Sequence, residues 1–207
     1  MKAKMLVAVT LGLGAVGSVC FISCVRAQAV PNGDFETPRV TGFQYSISGG
    51  SFTFVGGNGG HGSAFVGGTG ISAAGSLFTY ANPGNTSQVA FLQGAAGNFF
   101  YEDVDFAKPG HYVVCFDAAA RGHGSSTHGG SDHEDFNVLV RGKVVGTFEP
   151  SAIDYVSFTT SSFWVTCTNP ITLEFQGVDS AGDDETAFID NVSIEQARFV
   201  KREPLTR

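Results

Sequence analysis

The residues most able to do chemistry lie in a glycine-rich stretch between two apolar runs. Three histidines, His123, His128 and His133, recur every five residues there, with Asp132 and Glu134 beside the last of them. Imidazole and carboxylate groups are ligands for zinc or copper. Structural zinc sites use tighter ligand spacing, however, and ordering so long a loop costs conformational entropy. The pattern favours a polar loop, long enough to carry binding residues, over a metal site.

Aromatic, amide and guanidinium side chains suggest a second chemistry, the binding of sugars. Trp164 lies between two apolar residues of a strand-like run, so alternation turns it away from the core side of that strand. Flat aromatic faces grip sugar rings, while Arg, Asn and Gln side chains supply hydrogen bonds. The candidates are Trp164, Arg121, Asn137 and Gln93. The alternative for Trp164 is a partly buried packing residue.

Catalytic motifs are missing from the sequence. It contains no Gly-x-Ser-x-Gly, no His-Glu-x-x-His and no phosphate-binding loop. A carboxylate pair for glycoside hydrolysis could be recognised only from tertiary structure. The acidic run 179–185 lacks the spacing of an EF-hand loop, so it is either a solvated loop or a contributor to a calcium site. We therefore expect a protein that is not an enzyme.

The segment 1–29 has the layout of a secretory signal peptide. Lys2 and Lys4 precede an almost uncharged apolar stretch, and Ala27-Gln28-Ala29 follows it as a small-x-small cleavage site. The alternative is a retained membrane anchor, because the stretch is about long enough to span a bilayer. No second apolar run of that length follows. Cleavage after Ala29 predicts a secreted or cell-surface protein without a membrane span in its mature chain.

Two cysteines, Cys115 and Cys167, remain after such a cleavage, since Cys20 and Cys24 leave with the signal. An even pair in an exported protein usually forms a disulfide bond. The bond would close a loop of about 50 residues and stabilise the fold by roughly 4 kcal/mol or less. The alternative is two buried thiols that do not meet.

Composition sets limits on the partners. The 207 residues carry 12 Lys and Arg against 19 Asp and Glu, a net charge of −7. Loss of the segment 1–29 removes three bases and no acid, so the charge becomes −10. A nucleic-acid partner is not expected, because phosphate binding needs basic groups. An acidic body suits cation binding or simple solubility.

Short alternating runs predict about ten strands and one domain over residues 30–196, followed by a charged tail at 197–207. Arg141-Gly142-Lys143 between two of the runs predicts a tight hairpin. The glycine tract at 56–62 predicts a loop. Antiparallel strands without helical periodicity predict a two-sheet sandwich. The predicted strands are 43–47, 51–55, 88–93, 99–106, 111–118, 136–140, 144–148, 155–160, 162–166, 171–175 and 186–194.

Motifs at both ends of this region resemble a known fold. Asn32-Gly33-Asp34-Phe35-Glu36-Thr37-Pro38 opens it and Thr186-Ala187-Phe188-Ile189-Asp190-Asn191-Val192-Ser193-Ile194 closes it, with runs 89–94, 109–112 and 116–121 between. Together they resemble the galactose-binding-like jelly rolls of secreted bacterial choice-of-anchor proteins and related plant cell-wall proteins of uncharacterised function. The resemblance implies a jelly-roll module that binds extracellular polysaccharide or cell-wall glycan. Alternatives are a cell-surface domain that binds another protein, and a polysaccharide hydrolase.

The resemblance also implies a structural calcium ion. It makes the opening and closing segments neighbouring strands, which brings Glu36 and Asp190 together. Two carboxylates that close repel each other unless a cation lies between them, and calcium prefers such oxygen ligands. In related modules the corresponding acids hold this ion. The alternative is that Glu36 and Asp190 cap turns or bond backbone amides.

Overall fold

The computed structural model describes residues 25–28, 30–45, 63–76, 87–93, 95–121, 135–151, 154–166, 170–178 and 186–197, the first range by its backbone alone. These ranges form strands and contain no helix, so no described helix is long and apolar enough to cross a bilayer. The strands are β1 (Val25–Gln28), β2 (Phe43–Tyr45), β3 (Ser63–Val66), β4 (Thr69–Ala73), β5 (Gln88–Gln93), β6 (Phe99–Val104), β7 (Gly110–Ala120), β8 (Phe136–Val140), β9 (Lys143–Phe148), β10 (Val156–Thr159), β11 (Phe163–Val165), β12 (Ile171–Gly177) and β13 (Thr186–Gln196).

The strands form two antiparallel sheets, which confirms the predicted jelly-roll sandwich. The larger sheet has eight strands in the order β10-β7-β13-β5-β4-β2, with β11 also on β7 and β1 also on β13. The smaller has five strands in the order β3-β6-β12-β8-β9. From β5 onward the chain passes repeatedly from one sheet to the other. Long central strands β7 and β13 therefore receive neighbours from distant parts of the sequence.

Phenylalanine joins the two sheets. Successive strand residues face opposite sides, so β12 buries Ile171, Leu173 and Phe175 while the residues between them are only half-buried. Phe116 of β7 lies at the centre of this core, with four other phenylalanine rings at 5.0–5.8 Å from its own. Three of the four come from the smaller sheet, so this cluster fixes how the sheets stack. The four are Phe136, Phe148, Phe158 and Phe175.

The predicted hairpin is confirmed in detail. Val140 pairs with Lys143, leaving Arg141 and Gly142 as a two-residue turn. Both residues have positive φ, at 53° and 68°. Such a turn matches the twist of the strands that it joins.

Three strands, β1, β3 and β4, were missing from the sequence-based prediction. All residues of β4 except Ile71 are small or polar, and Gly70 within it would weaken an isolated strand. In the sheet Gly70 is required, because a Cβ atom there would clash with the carbonyl oxygen of Gln44 on β2. Close approach of a neighbouring strand therefore explains the glycine that hid this element.

Strand β1 lies inside the segment predicted to be a signal peptide. Its backbone pairs antiparallel with β13, Val25 opposite Gln196 and Gln28 opposite Ile194. Cleavage after Ala29 would remove this strand and uncover that part of the β13 edge. The cleavage stays a prediction.

Candidate functional site

The outer face of the larger sheet presents a row of polar and aromatic side chains along β7 and its edge neighbours. Trp164 pairs with His111, Thr159 with Cys115, and Ser157 with Asp117. Residues paired directly across neighbouring strands point to the same face. We call Trp164, Thr159, Ser157, Asp117 and Asn191 the edge row; from His111 to Asp117 it extends about 20 Å.

Trp164 forms the aromatic end of the edge row. Its side chain is 54% exposed, although it lies in a strand. The His111 ring packs against it edge-on, with centroids 4.7 Å apart and planes at 61°. The indole is thus braced by the protein on one side, and its exposed surface can stack on a flat apolar ligand surface. The expectation that Trp164 points away from the core is confirmed.

Two aspartates and an asparagine form the polar end. Asp117 and Asp190 are direct cross-strand partners on β7 and β13. Asn191 donates through Nδ2 to Asp117 Oδ2 at 3.0 Å and through its backbone N to Asp190 Oδ1 at 2.7 Å. Ser157 Oγ donates to Asp117 Oδ1 at 2.5 Å. These donors offset the repulsion between two neighbouring carboxylates. The Asp190 side chain is only 2% exposed.

Tyr155 lies close to both carboxylates. Burial, and then the negative charges of Asp190 and Asp117, raise the pKa of Tyr155 above its ordinary value. The phenol therefore stays protonated and keeps a hydrogen to donate. Its ring packs on a small apolar cluster on the outer face of the larger sheet, formed by Val89, Phe91 and Phe188.

The four predicted sugar-binding residues do not form one site. Arg121 and Gln93 are brought together, because both lie beside Thr186. The backbone N of Arg121 donates to Thr186 O at 2.9 Å, and Gln93 pairs with Thr186 across β5 and β13. Trp164 pairs with His111 near the opposite end of β7 from Arg121. At the rise of an extended strand, that separation is about 30 Å. Asn137 is on the smaller sheet, where its Oδ1 accepts a hydrogen bond from Thr147 at 2.7 Å. Only Trp164 belongs to the edge row.

The opening segment is not a strand, contrary to the expectation that it pairs with the last strand. Asn32 and Phe35 have φ of 48° and 52°. Such values break an extended conformation. Its contact with β13 is a hydrogen bond from Val192 N to Gly33 O at 2.7 Å. The segment is held mainly by β5. This arrangement could not be read from the motif, because neither left-handed residue is a glycine.

Glu36 binds the start of β5. Its Oε1 accepts hydrogen bonds from Ser87 N at 2.6 Å and Gln88 N at 3.1 Å, and its Oε2 accepts one from Ser87 Oγ. Burial alone would raise the pKa of Glu36, but these hydrogen bonds lower it below the ordinary value. The backbone-amide alternative therefore describes Glu36.

Gln88 completes the attachment. This side chain is 1% exposed, and its Nε2 donates to Phe35 O and to Pro38 O, each at 2.9 Å. Its Oε1 accepts a hydrogen bond from Val40 N. One buried amide thus satisfies three backbone groups of the opening segment, and nothing in the sequence distinguished it from the apolar run around it.

The calcium hypothesis fits Glu36 poorly. Amide N–H groups already point at its carboxylate, where a cation would need free oxygen lone pairs. In the ranges that the structure describes, no group of three or more His, Cys, Asp or Glu could hold a metal ion. The loop with His123, His128 and His133 and the acidic run 179–185 lie outside the described residues. Calcium binding through Asp190 stays a prediction.

The predicted disulfide bond is not seen at Cys115. The Sγ atom of this residue lies 3.6 Å from Thr159 Oγ1. Cys167 is outside the described residues. Val165, two residues before it in the chain, pairs with Gly110, which is about 17 Å along β7 from Cys115. This register disfavours a bond between the two cysteines, and the bond stays a prediction.

Comparison with known proteins found similarity only among solved structures. No family model matches the sequence, and no curated protein is similar to it. The CBM36-1 domain of a multidomain xylanase from the hindgut metagenome of Trinervitermes trinervoides is 16% identical, with a TM-score of 0.42 over 67% of this chain and 99% of that one. A family 35 carbohydrate binding module from Clostridium thermocellum is 13% identical, with a TM-score of 0.46 over 64% and 91%. A carbohydrate-binding module CBM36 in complex with calcium and xylotriose is 14% identical, with a TM-score of 0.41 over 64% and 98%.

Proposed function

We propose that this protein is an exported, non-catalytic module that binds a neutral extracellular polysaccharide or cell-wall glycan through the edge row. The observation that carries the proposal is Trp164, an exposed indole braced by His111 on a rigid strand. The signal-like segment 1–29 supports export.

Hydrogen-bonding groups continue from the indole along the same face. Thr159, Ser157 and Asn191 are exposed, and Asp117 is half-buried behind them. Hydroxyls, an amide and a carboxylate are the groups that fix the orientation of a sugar stacked on an aromatic ring. A row about 20 Å long suits an extended chain of several sugars better than a single one.

The charge of the row favours neutral glycans. Asp117 and Asp190 contribute two carboxylates, and the whole chain carries a net charge of −7. A sulfated or uronic-acid polymer would be repelled by this surface, most strongly at low salt.

Binding fits the geometry better than hydrolysis. A glycosidase needs two carboxylates that both reach the scissile bond. In the Asp117–Asp190 pair, Asp190 is 2% exposed and accepts the amide hydrogen of its own neighbour. A substrate can therefore reach one carboxylate of this pair and not the other. Calcium has no role in this binding through Glu36, because hydrogen bonds from Ser87 and Gln88 already occupy its carboxylate.

Trp164 is the only tryptophan of the chain, so its fluorescence reports directly on the proposed surface. A glycan array probed with and without calcium identifies a ligand, and titration of that ligand should then change the emission and protect it from iodide quenching. Trp164→Ala should weaken binding about 10- to 100-fold, the loss of an aromatic contact worth about 1.5–3 kcal/mol. Turnover of any polysaccharide would instead support a hydrolase.

Phe43→Ala is the matched control. Phe43 is also an exposed aromatic of the larger sheet, 45% exposed, but it lies on β2 at the far edge from β10. It should leave binding unchanged. Equal losses in both variants, or no glycan bound at all, would overturn the proposal and favour a protein-binding surface domain.

A further inference from the structure

A cleft of about 220 Å³ opens beside β10, on the opposite face of that strand from the edge row. Its floor is apolar: Ala118 and Pro150 are buried, and Phe158 is half-buried. The alternation of β10 separates the two surfaces, because Val156 and Phe158 line the cleft while Ser157 and Thr159 face outward. We call this pocket the β10 cleft.

The rim of the β10 cleft is acidic. Glu149, Ser151 and Asp154 line it and are exposed, and Val156 beside them is 44% exposed. None of the described lining residues is a lysine or an arginine. The cleft therefore combines an apolar surface at its base with two carboxylates at its mouth.

These features define the chemistry of a ligand. The volume is below the range of pockets for drug-sized ligands, so it suits one sugar-sized ring. The apolar floor suits the C–H face of such a ring. The two carboxylates suit a positive group on it. We propose that the β10 cleft is a second binding site, independent of the edge row, for an amino sugar in its ammonium form.

The test is a titration of the ¹⁵N-labelled protein, followed through its backbone amide resonances. Glucosamine, glucose and glucuronate are compared at about pH 6 and low salt, where an amine is protonated. Glucosamine should shift the amide signals of Ser151, Asp154, Val156 and Phe158. Glucose should bind about fivefold more weakly and glucuronate should not bind, since exposed charge pairs have effects of this size. Equal shifts from all three sugars, or none, would overturn the proposal.

Two sets of variants separate charge from shape. Glu149→Gln with Asp154→Asn should lower glucosamine affinity about fivefold and abolish its salt dependence. Val156→Lys places a positive charge at the rim and should exclude glucosamine. The matched control is Val144→Lys, because Val144 is a 53% exposed valine that does not line the cleft. Wild-type affinity in the Val156 variant, with an unchanged melting temperature, would contradict the assignment.

Trp164→Ala distinguishes this site from the proposed polysaccharide surface. It should weaken polysaccharide binding about 10- to 100-fold and leave the glucosamine shifts unchanged. If Trp164→Ala loses both polysaccharide binding and the glucosamine shifts, the two ligands share a single site and the β10 cleft is not a separate one.

Discussion

The attachment of the opening segment to β5 can be tested at one residue, Gln88. Replacing Gln88 with leucine keeps the size of the side chain but removes its hydrogen bonds to Phe35 O, Pro38 O and Val40 N. Each such bond contributes about 1 kcal/mol net, so the free energy of unfolding should fall by about 3 kcal/mol. That is a large part of the total stability of a typical domain, about 5–15 kcal/mol.

The loss should spread into the core, because the same segment carries Phe35. This ring is 6% exposed and packs edge-on against Phe100 at 5.7 Å and Phe65 at 6.5 Å. A segment that detaches from Gln88 would withdraw Phe35 and open the sandwich to solvent. Proteases should then cut within the segment 30–40 in the variant and not in the wild-type protein.

Urea unfolding followed by circular dichroism measures the change. The matched control is Gln176→Leu, because Gln176 is half-buried on β12. That substitution should change stability by less than about 1 kcal/mol. An ordinary surface substitution changes the free energy of unfolding by about 0.5 kcal/mol or less. If Gln88→Leu changes it by no more than this, the Gln88 side chain does not hold the opening segment and the reasoning fails.

Two further predictions concern pH, calcium and thiols. Because hydrogen bonds lower the pKa of Glu36 in the folded state, its charge stabilises the fold above the ordinary value of 4.5, and this contribution is lost as pH falls. Glu36→Gln should therefore lower the melting temperature at neutral pH, and by the same amount in EDTA and in calcium. The difference in melting temperature from wild type should shrink below pH 4.5. A difference that depends on calcium would instead support metal binding by Glu36. Thiol titration of the unfolded, unreduced protein lacking the segment 1–29 should find two thiols per chain, Cys115 and Cys167. A count of zero in monomeric protein would refute the strand register.

Strand positions were predictable where alternation was strong. The bounds of β5 and β8 are those expected, and the hairpin after β8 follows from Gly142. Strand β4 was hidden, because Ile71 is its one large apolar residue and its Gly70 is explained only by the close approach of β2. Periodicity reports which side chains face a core, but not how closely another strand approaches.

The functional residues were harder to predict, since they depend on pairing between distant strands. Trp164 was found because its own neighbours mark it as outward-facing. Asp117 and Asn191 were missed as site residues, because they meet only when β7 and β13 pair. The cysteine pair depends on the same kind of pairing: composition gives the number of thiols, while register gives their separation.

The irregularity in β13 has a consequence for how sequences of this kind should be aligned. Asp190 pairs with Asp117 of β7, and Ser193 pairs with Cys115. Between these two pairs β13 advances by three residues while β7 advances by two. The extra residue is Asn191, with a φ of 53°. It shifts the inward–outward phase of everything after it, so that Val192 and Ile194 are buried. Deleting Asn191 would remove the bulge and keep Val192 and Ile194 on the core side, because Val192 would then follow Asp190 in regular alternation. An alignment without a gap option at this position would assign the end of the strand to the wrong face.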